Sequence, residues 1–205
     1  MIIAHFINDV HSLRACSLTC YSWYIAAVPH LHHTLFININ SLDRKFRWPN
    51  PIRNMHMLGL LPLVQSIRIC RGGNKVGFSP ELFNRRTLRQ FPALTDIRTL
   101  WIDDLDIPSF MPMIQRYFGH FLPTVDYLTL KEPKGSRRQI IYFFGLFQHL
   151  EDLRLLYDRA DPRDEPADDL SLIPPSVPPL RGWLWLCNFT RVGLLKDMID
   201  LFGGI

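Results

Sequence analysis

Apolar residues near the start of the chain recur at helical spacing. Leu13, Cys16, Cys20, Trp23 and Ala27 are separated by 3, 4, 3 and 4 positions, which puts them on one face of a helix. A second stripe, Leu18, Tyr21, Ile25 and Val28, lies beside it. Together they predict one helical region of about 16 residues that packs on two sides, against its own domain and against something else. The period then changes. Residues 34–39, Thr-Leu-Phe-Ile-Asn-Ile, alternate and are rich in β-branched side chains, which predicts a short strand. Residues 41–54, containing Trp48-Pro49-Asn50-Pro51, read as a loop.

From there one unit recurs. Val64-x-x-Ile67-x-Ile69 is followed by Ile97-x-x-Leu100-x-Ile102, Val125-x-x-Leu128-x-Leu130 and Leu150-x-x-Leu153-x-Leu155. A looser copy runs from Leu180 to Leu186, and the last apolar residues are 33, 28, 25 and 31 positions apart. This L-x-x-L-x-L pattern at such periods resembles leucine-rich repeats. In a short strand the last two apolar residues point inward together, and the stretch between strands must return to the same side, usually as a helix. Three such segments carry helical spacing: residues 110–118 with Ile114, Tyr117 and Phe118 inward, residues 138–146 with Ile141, Phe144 and Gly145, and residues 190–202 with Leu194, Leu195, Met198 and Leu201. A Phe leads into three of the units, at Phe91, Phe121 and Phe147. A doubly wound sheet is the competing architecture, but no Gly-rich phosphate loop follows any of these strands.

Composition narrows the class. The chain has 205 residues and is 47% hydrophobic, which suits a globular core and argues against disorder. No stretch reaches the roughly 18 apolar residues of a membrane span, and the first residues lack the pattern of a secretory signal. Two of the four cysteines, Cys16 and Cys20, sit four apart on a helix face, which reads as packing and not as a disulfide framework. A reduced cytoplasmic or nuclear compartment is the expectation. The net charge of +4 hides an acidic run: residues 158–169 hold six acids and two arginines. That run, with the prolines up to Pro179, predicts a mobile loop over 158–179. The basic residues are dispersed, so nucleic acid is not an expected partner.

Candidate chemistry is sparse. His30, His32 and His33 crowd together, but a metal site needs further ligands at organised spacing. Asp103, Asp104 and Asp106 follow a strand, where Asp is favoured as a turn former. No G-x-S-x-G, H-E-x-x-H or P-loop is present. The expectation is a protein that is not an enzyme and needs no cofactor or metal. The strands offer a different surface. In each unit the residue between the last two apolar positions points to the opposite face, and these are Arg68, Trp101, Thr129, Arg154 and Trp185, with Trp183 beside the last. Exposed Trp and Arg are enriched at binding hot spots.

Residues 12–23, Ser-Leu-Arg-Ala-Cys-Ser-Leu-Thr-Cys-Tyr-Ser-Trp, followed by Pro29-His30-Leu31, resemble the second half of an F-box over Ile2 to about Leu35. The same spacing also suits a plain helical hairpin. The Leu-Pro-x-Glu opening of the F-box has no counterpart here. Joined to the repeats, to residues 137–147 and to Pro178-Pro179-Leu180-Arg181-Gly182, the chain resembles the large F-box family of basidiomycete fungi. The resemblance implies an α/β chain: an F-box-like helical module over 1–35, then an irregular leucine-rich-repeat-like solenoid of mostly parallel short strands over 36–205. It also implies truncation at both ends. The implied function is substrate recognition in an SCF-type (cullin–RING) ubiquitin ligase. A Skp-type adaptor would bind through Leu13, Leu18, Cys20 and Trp23, and the repeats would hold a protein substrate on their concave face. The alternatives are an interaction scaffold of the same fold outside the ligase, and an enzyme with an unrecognised site.

Overall fold

The computed structural model describes residues 9–38, 55–70, 91–104, 106–157, 180–187 and 192–202. The predicted loops at 41–54 and 158–179, and the beginning of the F-box-like segment, lie outside the described residues.

The predicted single helix is two helices. Helix α1 spans Val10–Ser17 and α2 spans Tyr21–Leu31. Asp9 starts α1: its carboxylate accepts the Ser12 hydroxyl and the N–H groups of Ser12 and His11, and the Ser12 hydroxyl above all holds its pKa below the ordinary value. The helix stops because Thr19 turns back, its hydroxyl donating to the Cys16 carbonyl at 2.7 Å, and Cys20 is fully extended. The stripe of five residues is therefore broken at Cys20. Leu13 and Ala27 close a small core of their own, with Ala26 and Leu31 against it.

Among the described residues a six-stranded sheet follows, its strands in chain order and every neighbouring pair parallel. The strands are β1 (Thr34–Asn38), β2 (Ser66–Cys70), β3 (Thr99–Asp103), β4 (Tyr127–Lys131), β5 (Asp152–Leu156) and β6 (Trp183–Cys187). The chain is thus α/β, and β1 lies within the residues 34–39 whose alternation predicts a strand. The register follows the repeat. Leu35, Ile67, Leu100, Leu128, Leu153 and Leu184 form one row, and Ile37, Ile69, Ile102, Leu130, Leu155 and Leu186 a second. Burying each such side chain contributes about 1.5–3 kcal/mol, and a one-residue slip would turn a strand's whole apolar set to the other face.

Strands β2 to β5 are also fixed at their starts. The carbonyl of His33 accepts the N–H groups of both Gln65 and Ser66, that of Gln65 those of Arg98 and Thr99. The Arg98 carbonyl serves Asp126 and Tyr127 in the same way, and the Asp126 carbonyl serves Glu151 and Asp152. Tight 3-10 turns at Leu61–Leu63, Phe91–Ala93 and Leu122–Thr124 precede three strands, each with Pro as its second residue. Pro suits that position because its missing N–H has no partner to lose there. The Phe91–Ala93 turn stands further from its strand than the other two, so the leading Phe residues are not equivalent in position.

Helices α3 (Ile107–Met113, extended by a π turn over Ile114–Phe118), α4 (Arg137–Phe144) and α5 (Val192–Phe202) supply the rest of the core. Phe118 sits at its centre, its ring centroid 4.8 Å from Phe91, 5.7 Å from Phe110 and 5.2 Å from Phe121. A reciprocal cap between Ser136 and Gln139 starts α4. Its Ile140, Ile141, Phe143 and Phe144 are all buried, so Phe143 belongs to the core and meets Phe147 edge to face, centroids 5.2 Å apart. On α5, Leu194, Met198 and Phe202 face inward, with Leu195 half-buried.

Candidate interaction surfaces

The sheet face opposite the core carries a row set by the register: Phe36, Arg68, Trp101, Thr129, Arg154 and Trp185. All five residues singled out from the sequence are brought together in that row. Phe36 was missed because no x-x-Leu precedes its strand, although Leu35-Phe36-Ile37 carries the same alternation.

The row is not uniform. The Arg68 guanidinium lies 4.2 Å from the Trp101 ring centroid, and that of Arg154 lies 5.6 Å from the Trp185 ring. Each stacked pair is worth about 0.5–1 kcal/mol when exposed. A carboxylate holds each arginine: Asp103 is 3.7 Å from Arg68, and Asp152 is 3.1 Å from Arg154. Asp103 also accepts from the Trp101 indole N–H. The Cys70 thiol joins this group; burial first, and then Asp103, pushes its pKa up. A raised pKa lowers the share of the nucleophilic thiolate form. Thr129 departs from the expected exposure. It is 7% exposed, a small side chain between Trp101 and Arg154, and does not present a contact of its own. Trp185 is 55% exposed and Trp183 more so, which makes the β6 end of the row its aromatic end. Tyr127 lies two residues before Thr129 on β4, its phenol donating to Glu151 at 3.1 Å, which raises the phenol pKa.

The helical hairpin presents a second apolar surface. Leu18 is 86% exposed, and Tyr21, Tyr24 and Ile25 are exposed beside it. Cys20 is exposed at the start of α2. Two candidates behave otherwise. Leu13 is 0% exposed and holds the hairpin together, so it is a core residue and not a contact. Trp23 is 37% exposed, partly packed and partly open. Tyr24, which belongs to neither stripe, was not singled out from the sequence.

The polar clusters do not converge. His33 contacts Thr34 at 3.3 Å, whereas burial lowers the pKa of His32. Asp104 has a positive φ of 54° in its turn and pairs with Lys134 at 2.5 Å, while Asp103 faces Arg68 and Asp106 precedes α3. Among the described residues no group of three His, Cys, Asp or Glu is placed to hold a metal ion. No described helix is long and apolar enough to cross a membrane. No protein-family model, curated protein or solved structure matches the chain.

Proposed function

We propose that the chain is a non-catalytic substrate-recognition subunit of an SCF-type (cullin–RING) ubiquitin ligase. The hairpin would serve as an F-box-like module for a Skp-type adaptor, and the strands as leucine-rich-repeat-like units for a protein substrate, in the cytoplasm or nucleus. The observation that carries this reading is the exposed group Leu18, Tyr21, Tyr24 and Ile25 on a hairpin with its own small core. An amphipathic hairpin that closes on Leu13 and Ala27 has no internal use for a second apolar side. The row from Phe36 to Trp185 supports the substrate half of the reading, since Trp and Arg carry interface energy well.

The test is calorimetric titration of the chain with a Skp-type adaptor, beside Leu18→Arg and Tyr21→Arg variants. Binding that either substitution abolishes supports the reading. No binding by the unaltered chain removes the adaptor role and leaves the alternative, an interaction scaffold outside the ligase. The burial of Leu13 favours that alternative, because it takes one expected contact away from the adaptor surface.

A further inference from the structure

Among the described strands β6, the last, is chemically unlike the other five. In β1 to β5 the two core-facing positions are fully buried, whereas Leu184 and Leu186 of β6 are half-buried. Strand β1 is an edge too, yet its Leu35 and Ile37 are covered. Helix α5 turns its Asp197 and Phe202 toward Arg137 and Phe144 of α4. Strand β6 itself, Trp-Leu-Trp-Leu-Cys, contains no charge and no proline, the residues with which natural edges repel other chains.

The backbone says which groups face outward. The Trp183 N–H donates to Glu151, and the Cys187 carbonyl accepts from Tyr157. Strand residues alternate in the direction of their N–H and C=O groups, so Trp183, Trp185 and Cys187 point to β5. Leu184 and Leu186 therefore point their N–H and C=O groups to the outer edge. The strand is also symmetric about Trp185 in its apolar pattern. If a second copy runs antiparallel with Trp185 on a two-fold axis, each Leu184 lies opposite the other copy's Leu186. All four outward residues then form hydrogen-bonded pairs, and all four leucines share the core face. Trp185 meets its counterpart in a non-hydrogen-bonded pair, where side chains approach most closely. A shift of one residue sets leucine against tryptophan; a shift of two sets leucine against Gly182 or Asn188.

We infer that β6 is a self-pairing edge through which two copies join antiparallel about Trp185, extending one sheet into the next. The pairing is isologous, as closed homodimers require. It joins the two Phe36-to-Trp185 rows end to end, and it does not rest on the ligase reading.

Sedimentation of the 205-residue chain over a concentration series tests it. The expected mass is twice the 24.0 kDa of one chain. Trp185 is largely exposed, so its replacement leaves the fold intact, as circular dichroism would verify. Trp185→Glu and Trp185→Lys should each give the single-chain mass, because like charges meet on the axis. An equal mixture of the two should restore the doubled mass. Trp185→Cys, oxidised, should yield a cross-link that joins the two residue-185 peptides. A monomeric unaltered chain, a dimer that survives either charge variant, or a mixture that stays monomeric would overturn the inference. So would a Trp185→Cys dimer that does not cross-link at residue 185.

Discussion

Arg137 of α4 and Asp197 of α5, 60 residues apart in sequence, form an ion pair in the interior. Asp197 is almost completely buried, and Gly193 makes room for the arginine: a Cβ there would lie 2.9 Å from its Nη1. The pair ties the helix after β6 to the helix between β4 and β5. Removing one partner leaves a buried charge alone, so Asp197→Ala should cost about 3–5 kcal/mol. Arg137→Met with Asp197→Leu should recover most of that loss, because desolvation is then avoided on both sides. Urea unfolding of the two variants measures it; equal losses for the single and double changes would contradict the argument.

Leu13 and Leu18 lie five residues apart and should behave as opposites. Leu13→Ala empties the hairpin core and should cost about 2–5 kcal/mol. Leu18→Ala removes a side chain that water already surrounds and should stay within about 0.5 kcal/mol of the parent. Hydrogen exchange of α1 and α2 amides reads both. Comparable protection in the two variants would show that the hairpin core is misassigned.

Gly182 enters β6 against the backbone of the preceding strand. A Cβ there would meet the Glu151 carbonyl oxygen at 2.3 Å, the same oxygen that accepts the Trp183 N–H at 2.8 Å. Backbone cannot swing aside as a side chain can, so Gly182→Ala should destabilise by about 1–3 kcal/mol. An unchanged urea midpoint would refute it.

Burial holds the His32 ring below the usual imidazole pKa, so the folded chain favours its neutral form. As pH falls through about 6.5 the unfolded chain binds the proton first, and the His32 contribution is lost from there down to the folded pKa. The melting temperature should therefore drop between about pH 7.5 and pH 5.5, and His32→Gln should flatten part of that drop. An identical pH profile for the variant would remove His32 from the account.

The strands were legible because their apolar rows obey a period of two and repeat. Ile67, Leu100, Leu128 and Leu153 announce both position and facing in the sequence, and the sheet aligns them. The helix break at Cys20 was not legible. Apolar spacing continues through it, and the stop depends on Thr19 bonding back to Cys16, which periodicity does not report. Phe143 was obscured for a related reason: α4 is buried on more than one side, so no single stripe describes it. In the surface row the facing of Arg68, Trp101, Arg154 and Trp185 followed from alternation, but the burial of Thr129 depends on how large its neighbours are. The carboxylate that holds Arg68 was invisible because Asp103 reaches it from the adjacent strand, a relation that only the register creates, whereas Asp152 stands two residues before Arg154 on one strand.

One carbonyl receives two successive N–H groups where each of β2 to β5 begins, and that arrangement separates alignment from connection length. The stretches joining the strands differ in length, yet the rows stay level, because each strand takes its position from the one before it and not from the distance travelled in between. Such a chain tolerates lengthening and shortening in its connections while its working face keeps the same lateral order. Variation in those connections can accumulate without moving Trp101 relative to Arg68, whereas a single residue added between Asp126 and Leu130 would displace every side chain that follows in that strand.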